Sequence, residues 1–310
     1  MWNFFHRSLQ QGVITFALLI SSPLLASQTA LLIDADTANE IDDLFAIVRA
    51  VRAPEFNLVG VSAAQFHTSP YASQATAEES LRLNRELMKH LNCSDVPLTL
   101  GSNLPLQDIN SAQDSEAAQF IISQAHQSPT PLHLVILGSA TNVASALLLD
   151  PSIASKIKVF YLGFWHNITE GTFSQQEFNS RNDPIAVQVL LDHPTLDLTV
   201  MTATTSQHLV FHKTKAQKQL APLTGIGAHL MQRWNTYKRW WTDKDPNQTQ
   251  WTMWDVALIS ALAHPEWAQI KEVPSPSKHI ARTIKVFTHI DSTKMEADFW
   301  EHLRTLRNGM

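Results

Sequence analysis

The chain has 310 residues, of which 44% are hydrophobic and only 16% are charged, so it can bury a sizeable core. Its net charge of −5 provides no basic surface for nucleic acid, so no nucleic-acid partner is expected. Cys93 is the single cysteine, so no internal disulfide can form. These values leave a globular protein with one large α/β domain or two small ones.

The first residues have the pattern of a targeting segment. His6 and Arg7 form a short basic region, an apolar run follows over residues 13–20, and Ala26 precedes the expected cleavage site. Because the apolar run is short for a membrane span, residues 1–26 are predicted to be a signal peptide. This predicts an exported protein, periplasmic or secreted, with no stable membrane insertion after cleavage. An uncleaved N-terminal anchor is the alternative.

Apolar and amphipathic stretches alternate along the rest of the chain. Predicted strands cover residues 29–33, 57–63, 96–100, 132–137, 157–162, 196–201 and 282–288. Predicted helices cover residues 42–51, 75–91, 114–126, 143–149, 184–191, 213–241, 253–263 and 295–307. Such alternation predicts an α/β fold with a mainly parallel open sheet, helices on both faces and a Rossmann-like core. No linker interrupts the pattern, so residues 27–310 are expected to form a single domain.

Five acidic residues lie close together where the first predicted strand ends: Asp34, Asp36, Glu40, Asp42 and Asp43. Carboxylates at this spacing repel one another strongly unless a cation lies among them. The carboxyl end of a buried strand is also where an open α/β sheet places its chemistry. A solvated helix cap explains Asp42 and Asp43, which open a helix, but leaves Asp34 and Asp36 unexplained. The cluster therefore predicts an oxygen-rich site for Ca²⁺ or Mg²⁺.

This segment resembles the N-terminal signature of the inosine–uridine-preferring nucleoside hydrolase family. In that signature an apolar strand is followed by D-x-D and then by D-D at the start of a helix, and residues 34–36 and 42–43 match it. Five residues separate the two acidic pairs here, whereas three are common in the family. The chain therefore looks like a variant branch that reads D-x-D-x-x-N-E-x-D-D. The roles of Asn39 and Glu40 in the longer loop stay open.

Later segments resemble the same family in chain order. Residues 134–142 (LVILGSATN) look like its strand and turn ahead of a helix, which implies that Leu137 gives a backbone carbonyl to the metal. Glu177 and Asn179 lie in an E-F-N segment that leads to a D-P helix start, and the resemblance implies that they bind ribose hydroxyls. The chemistry agrees, because a carboxylate and an amide can bracket a vicinal diol as acceptor and donor.

Asp255 resembles the last metal carboxylate of the family. In many relatives a His precedes this Asp and donates a proton to the leaving base, but here the preceding residue is Trp254. A missing general acid typically lowers the rate by about 10²–10⁴. Stacking on the base is another way to favour its departure, so Trp254 is expected to contact the substrate.

Two further loops at the predicted strand ends carry candidate sugar contacts. His67 follows the second predicted strand, where relatives often have an Asn that contacts the sugar. Asn167 follows the fifth predicted strand, next to His166. Loops at the carboxyl edge of a sheet commonly carry binding residues, so His67 and Asn167 are expected to contact the substrate.

The resemblance implies calcium-dependent hydrolysis of the N-glycosidic bond of a ribonucleoside or a related ribosyl compound. The implied calcium ligands are Asp36, Asp43, Asp255 and the Leu137 carbonyl. Asp36 would also take a proton from the attacking water, and Asp42 would hold the ribose together with the E-F-N residues. Asp34 would orient the ligands from behind without touching the metal. Relatives are commonly dimers or tetramers, so a homodimer or homotetramer is expected, while the leaving base stays open.

Two other functions stay open at this stage. Residues 31–37 (LLIDADT) also resemble the D-x-D-x-T start of haloacid-dehalogenase-type phosphatases, although Thr37 comes one position early. An exported protein that binds a ribosyl compound without turnover would suit the missing His before Asp255.

Overall fold

Apolar and β-branched runs form the strands of the protein in its computed structural model, which describes residues 1–2, 28–70, 72–238 and 244–308. The strands in this part of the chain are β1 (Thr29–Ala35), β2 (Phe56–Ala63), β3 (Leu98–Leu100), β4 (Leu132–Ile136), β5 (Ile157–Leu162), β6 (Trp165–Asn167), β7 (Thr172–Ser174), β8 (Asp197–Met201), β9 (Val210–His212), β10 (Gln250–Thr252), β11 (Ala268–Pro274) and β12 (Thr283–Ile290). Eight of them form one sheet in the order β11-β12-β8-β5-β4-β1-β2-β3. Every neighbouring pair is parallel except β11 with β12. The predicted mainly parallel open sheet is therefore confirmed.

Helices connect most of these strands. They are α1 (Asp42–Ala50), α2 (Thr76–His90), α3 (Glu116–Gln127), α4 (Thr141–Leu149), α5 (Phe178–Asn182), α6 (Pro184–Asp192), α7 (Ala203–Ser206), α8 (Lys213–Leu220), α9 (Ile226–Thr236), α10 (Trp254–Ala263) and α11 (Ser292–Asn308). Local chemistry sets several of their starts. The Asp183 side chain, for example, accepts a hydrogen bond from the Ala186 N–H at the start of α6, and Pro184 occupies the first helical position.

Two apolar clusters lie on opposite faces of the sheet, because side chains alternate along each strand. Leu31 and Ile33 of β1 belong to one cluster, and Leu32 belongs to the other. The first cluster also contains residues of α1, α10 and α11, and the second contains residues of α3, α4 and α6. Helices therefore cover both faces, as the sequence predicts.

The second half of the chain departs from the predicted elements. The segment predicted as one helix over residues 213–241 contains two helices, α8 and α9, and its last part, 239–241, lies outside the described residues. Gly225 precedes α9 with a φ of +75°, a left-handed conformation that glycine adopts more easily than other residues. Two small antiparallel pairs, β6 with β7 and β9 with β10, are additions that the sequence did not predict.

The ends of the chain bear on the predicted export. Among the described residues, none of the helices combines the length and the apolar character needed to cross a membrane. The predicted signal peptide over residues 1–26 lies outside the described residues, apart from the first two.

Candidate active site

The carboxyl ends of four neighbouring strands, β8, β5, β4 and β1, open into one cleft. The cavity has a volume of about 210 Å³. Eight of the residues predicted from the sequence line it: Asp36, Asp42, Asp43, Leu137, Glu177, Asn179, Trp254 and Asp255. The fold therefore brings residues from both halves of the chain to one place.

Strand β1 delivers the acidic segment to this edge. Asp34 lies within the strand, and Asp36 is the first residue beyond it. Gly138 lies close to it, because a Cβ atom at that position would be only 2.9 Å from the Asp36 Cβ atom. Helix α1 then begins at Asp42, so Asp42 and Asp43 occupy its first turn, where the helix dipole favours negative charge.

The longer loop of residues 37–41 is buried and tied to helix α2. The Thr37 hydroxyl donates a hydrogen bond to Asn84 Oδ1 at 2.7 Å. The Ala38 N–H donates to the Ser80 hydroxyl at 3.4 Å. The two residues that this loop has beyond the common spacing are therefore packed into the protein rather than extended into solvent.

Asn39 and Glu40, whose roles the sequence left open, both line the cleft. The Asn39 N–H donates to the Asp36 carbonyl at 2.7 Å, while Asn39 Oδ1 is buried without a hydrogen-bond partner among the described residues. Glu40 Oε2 accepts a hydrogen bond from the Trp251 indole N–H at 3.1 Å. The longer loop thus adds two groups to the cleft: the Asn39 Oδ1 hydrogen-bond acceptor, which has no partner among the described residues, and the Glu40 carboxylate.

Asp42, Asp43 and Asp255 are close enough to share one cation. One carboxylate oxygen from each lies within 4.8 Å of the other two. The Asp255 N–H also donates to Asp42 Oδ2 at 3.2 Å, which holds the start of α10 against the start of α1. The sequence interpretation assigned Asp42 to the ribose, and its position in this group makes it available to a metal as well.

Burial and mutual repulsion raise the pKa values of these carboxyl groups. Burial, followed by the charges of Asp43 and Asp42, raises the pKa of Asp36 well above its usual range. Burial and the charge of Asp42 likewise raise the pKa values of Asp43 and Asp255. Burial raises the pKa of Asp42 to about 7, although backbone N–H donors oppose the change. A bound cation would favour the ionised forms of all four.

Two buried carboxylate oxygens without hydrogen-bond partners indicate whether these residues fit a metal ion. Asp36 Oδ2 and Asp43 Oδ1 are buried and have no hydrogen-bond partner among the described residues. Leaving buried polar atoms unpaired is costly, so such atoms usually mark a missing ligand, ion or water. All the available donors are oxygens, which suit Ca²⁺ or Mg²⁺ better than softer transition metals. The residues present therefore fit a hard divalent cation.

The Leu137 carbonyl, at the end of β4, is held by Asn179. Asn179 Nδ2 donates to the Leu137 carbonyl oxygen at 2.7 Å and to the Leu162 carbonyl oxygen at 3.2 Å. A carbonyl oxygen has two lone pairs, so this bond leaves one for a cation.

Glu177 caps helix α5 and thereby positions Asn179. Its Oε1 accepts from the Asn179 N–H at 2.9 Å. Its Oε2 accepts from the Ser180 N–H at 2.9 Å, the Ser180 hydroxyl at 3.0 Å and the Phe164 N–H at 3.2 Å. Oε2 is therefore saturated, whereas Oε1 keeps the capacity to accept one more hydrogen bond. Burial raises the pKa of Glu177, and these N–H donors oppose the increase.

Asp34 lies behind the cleft rather than in its lining. Its Oδ1 accepts a hydrogen bond from Asn142 Nδ2 at 2.9 Å. Burial raises the pKa of Asp34 to about 7, against the opposing effect of this hydrogen bond. Asp34 is thus placed to support its neighbours and has no contact with the open space of the cleft.

The structure does not bring His67 to the cleft. Its ring is exposed, and its Nδ1 lies 2.8 Å from Gln65 Oε1. Thr68 fixes the path of the loop that carries His67, because its N–H and hydroxyl both donate to Asn182 Oδ1. This contact between distant segments turns His67 away from the predicted sugar site.

Asn167 is also outside the cleft. Its side chain is exposed at the end of β6, where Oδ1 accepts from the N–H groups of Thr169 and Glu170 at 3.1 and 3.2 Å. Asn167 therefore caps the turn between β6 and β7. The neighbouring His166 is buried and stacks on Phe173, with ring centroids 4.2 Å apart.

Strand alternation brings Trp165 to the cleft instead, which sequence reasoning missed. Trp165 meets Trp254 edge to face, with ring centroids 5.9 Å apart and planes at 88°. The sequence contains a signal for this position, because Trp165 immediately precedes His166 and Asn167 in a loop predicted at the carboxyl edge of the sheet. Arg181, four residues after Glu177, is a second missed residue of the lining. Trp234 and Trp251, by contrast, are buried in the core.

Comparisons with known proteins agree with this geometry. A family model described as inosine-uridine preferring nucleoside hydrolase matches residues 31–302. A probable uridine nucleosidase 1 of Oryza sativa subsp. japonica is 25% identical over 272 residues, which cover 78% of this chain and 79% of that protein. A pyrimidine-specific ribonucleoside hydrolase of Escherichia coli is 25% identical over 183 residues, covering 52% of this chain and 56% of that protein.

Solved structures of similar fold carry related descriptions. A purine-preferring ribonucleoside hydrolase from Gardnerella vaginalis has a TM-score of 0.73 at 19% identity, covering 91% of this chain and 100% of that one. A plant nucleoside hydrolase, PpNRh1, has a TM-score of 0.71 at 16% identity, covering 89% of this chain and 99% of that one. At these identities the likeness establishes the α/β fold alone.

Proposed function

Because the chain belongs to the inosine-uridine preferring nucleoside hydrolase family, whose members are hydrolases of N-glycosyl bonds, we propose that it cleaves a ribonucleoside or a related ribosyl compound with the aid of Ca²⁺. The products would be ribose and the free base. The observation that carries the proposal is the meeting of the acidic group with the E-F-N segment in one cleft.

The proposed calcium ligands are Asp36, Asp43, Asp255 and the Leu137 carbonyl. The unpartnered oxygens of Asp36 and Asp43 support this choice, as does the short separation among Asp42, Asp43 and Asp255. When bound there, Ca²⁺ would orient the ribose hydroxyls and lower the pKa of a nearby water. Its preference for six to eight oxygen ligands leaves room for both.

The carboxylates of the chain would carry the chemistry of the sugar. Asp36 is the proposed base that accepts a proton from the attacking water. Hydrolysis at an N-glycosidic carbon passes through an oxocarbenium-like state, and the surrounding negative charge would stabilise its positive charge. Asp42 would accept a hydrogen bond from a ribose hydroxyl, in addition to the bond that it already accepts from Asp255.

The E-F-N segment would hold the other side of the ribose. Glu177 Oε1 has the capacity for one more donor, and a sugar hydroxyl would supply it. The Asn179 amide nitrogen is committed to the Leu137 and Leu162 carbonyls, so its Oδ1 is the atom that would accept from the sugar. Both side chains are fixed before substrate binds, which reduces the entropy lost on binding.

Trp254 would stack on the leaving group, since it lines the cleft beside the proposed metal carboxylate Asp255.

The family match overturns the alternative of a haloacid-dehalogenase-type phosphatase. The physical reason is that Asp34, which would be its nucleophile, is buried behind the cleft and bonded to Asn142.

We also propose that the protein is exported, that its mature form is a single domain starting near Ser27, and that it assembles as a homodimer or homotetramer. The sequence of the first 26 residues supports export. Export agrees with a calcium site, because exported proteins meet abundant free Ca²⁺.

A panel of ribonucleosides and other ribosides, incubated with the mature protein and Ca²⁺, tests the proposed function. Release of free base, read by chromatography, is the expected result. Saturable binding of a riboside with no base release over long incubation would instead identify a binding protein without turnover. Release of phosphate from phosphorylated substrates would contradict both.

A further inference from the structure

Among the described residues that line the cleft, the aspartates are the proposed holders of the cation and its water, and no other side chain is suited to protonate a leaving base near neutral pH. Among the described residues that form it, there is no His, Lys, Tyr or Cys. Arg181 keeps its proton under all ordinary conditions. Glu177 accepts four hydrogen bonds and Glu40 accepts one from Trp251, so both act as acceptors. A base that leaves as an anion would therefore receive no proton from these residues, and Arg181 is the one cationic side chain in the described lining.

Two tryptophans form an open corner at the same site. Trp165 and Trp254 stand at 88° to each other with ring centroids 5.9 Å apart, and both line the cleft. Trp165 is 38% exposed, which leaves the corner accessible from the mouth of the cleft. The face of a tryptophan ring attracts cations, because it carries partial negative charge.

The charge of the lining favours the same kind of ligand. Six carboxyl groups line the cleft against one guanidinium, so its lining stays acidic after one divalent cation binds. Asn39 is only 4% exposed, and its unpartnered Oδ1 adds a further acceptor. A ligand with positive charge or hydrogen-bond donors on its base would meet complementary groups on several sides.

From these observations we propose that the substrate is a cationic N-ribosyl heteroaromatic, a riboside whose ring nitrogen carries a permanent positive charge, as in a pyridinium riboside. This proposal rests on the proposed function and names the class of its substrate. The tryptophan corner binds the charged ring, and the acidic group with the E-F-N segment binds the ribose.

Such a substrate removes the need for a general acid. When the bond between C1′ and the ring nitrogen breaks, its electron pair stays on the nitrogen and neutralises the positive charge of the ring. The oxygen of water forms the new bond to C1′, and one water proton passes to Asp36 and then to solvent. The products are ribose, a neutral heteroaromatic and one proton, so atoms and charge balance.

A pair of ligands with the same shape and different charge tests the binding half of the proposal. The cation 1-methylnicotinamide and the neutral 3-methylbenzamide differ only in the charged ring nitrogen. We expect the cation to bind about tenfold more tightly, measured by quenching of tryptophan fluorescence. Trp254→Leu should abolish this preference and Trp254→Phe should retain most of it. Trp267→Leu is the matched control, because Trp267 stacks on His264 outside the lining of the cleft. Equal binding of the two ligands to the unmodified protein would overturn the proposal.

Kinetic measurements test the catalytic half of the proposal, the preference for hydrolysing a cationic riboside. Nicotinamide riboside, uridine and inosine are compared by kcat/KM with Ca²⁺ present, each divided by the rate of its spontaneous hydrolysis. The expected normalised value for nicotinamide riboside exceeds both others by about 10² or more, which is the lower range of a general-acid contribution. Equal or higher values for the neutral nucleosides would overturn the cationic class and leave the proposed function intact. Hydrolysis of none of the three would contradict the proposed function, and the matched ligand pair would then decide the cation subsite alone.

Discussion

The backbone N–H of Asp255 donates a hydrogen bond to the Asp42 carboxylate at 3.2 Å, across 213 positions of the sequence. The bond joins the N-terminal turns of α10 and α1, so both helices direct their positive ends toward the cleft. A hydrogen bond to a charged group contributes about 1.5–3 kcal/mol, more than a neutral one. Asp43 and Asp255, two of the carboxylates proposed to bind calcium, are therefore held in the first turns of two helices, while Asp36 follows directly on β1.

Asp43→Asn should abolish calcium-dependent activity while leaving the fold intact. The substitution keeps the shape of the side chain but removes one of the charges that hold the cation. In the presence of a chelator, the variant should unfold at an equal or higher temperature, because burial and the Asp42 charge both oppose the ionised Asp43. Calcium titration by calorimetry and thermal unfolding check the two expectations.

Asp95→Asn is the matched control for this experiment, because Asp95 is an exposed carboxylate outside the cleft. It should leave calcium affinity and activity unchanged. Unaltered calcium binding by the Asp43 variant would contradict the assignment of this carboxylate to the metal.

The stabilisation by calcium should increase with pH. Without metal, burial raises the pKa of Asp42 from 3.8 to about 7, so the folded state holds a proton that the unfolded state has lost between these values. A raised pKa means that stability is lost as the pH rises through this window. Calcium binds the ionised carboxylates and removes the loss. Unfolding temperatures measured from pH 5 to pH 8 should therefore show a widening gap between calcium and chelator, and a constant or narrowing gap would contradict the account.

Thr37→Val should lower calcium affinity from a distance. The substitution removes the donor to Asn84 and leaves a buried amide unsatisfied, which costs about 1–3 kcal/mol. The loop that carries Asn39 and Glu40 would loosen, although Thr37 does not line the cleft. Thr130→Val, at an exposed position, should change neither stability nor calcium affinity. A Thr37 variant that loses stability but binds calcium normally would show that the loop does not position the site.

Gly138→Ala should reduce activity more than stability. An added Cβ would lie 2.9 Å from the Asp36 backbone nitrogen and Cβ, so Asp36 must move. Gly60→Ala is a matched control, because its Cβ would press on the partly buried Phe120 ring, which packs against the core away from the cleft. Each variant's loss of kcat/KM is compared with its loss of free energy of unfolding. At similar destabilisation, Gly138→Ala should lose more kcat/KM than Gly60→Ala. Equal losses of activity at equal destabilisation would argue against a special role for Gly138.

Local patterns were sufficient for much of the fold and for the acidic group. The buried run that ends at Ala35, and the acidic first turn of α1, are properties of neighbouring residues, so the sequence predicts where their side chains emerge. Glu177 and Asn179 come instead from the resemblance to the family's E-F-N segment, and the structure adds that Glu177 caps the helix that carries Asn179.

Contacts between distant segments explain what the sequence did not reveal. His67 is turned from the cleft by the bond between Thr68 and Asn182, which are 114 positions apart. Trp165 reaches the cleft because β6 pairs with β7, and the side of the hairpin that faces inward depends on this pairing. Neither relationship leaves a periodic signal in the sequence.

The rate of base release as a function of free Ca²⁺ tests the central claim most directly. With a riboside substrate, the mature protein should release base in proportion to calcium occupancy, lose this activity in a chelator and regain it when calcium is restored. Asp36→Asn should remain folded and release base about 10²–10⁴ times more slowly at saturating calcium. Base release that is equal with calcium and with chelator, or an unchanged rate in the Asp36 variant, would contradict the assignment of this cleft as a calcium-dependent ribosyl hydrolase site.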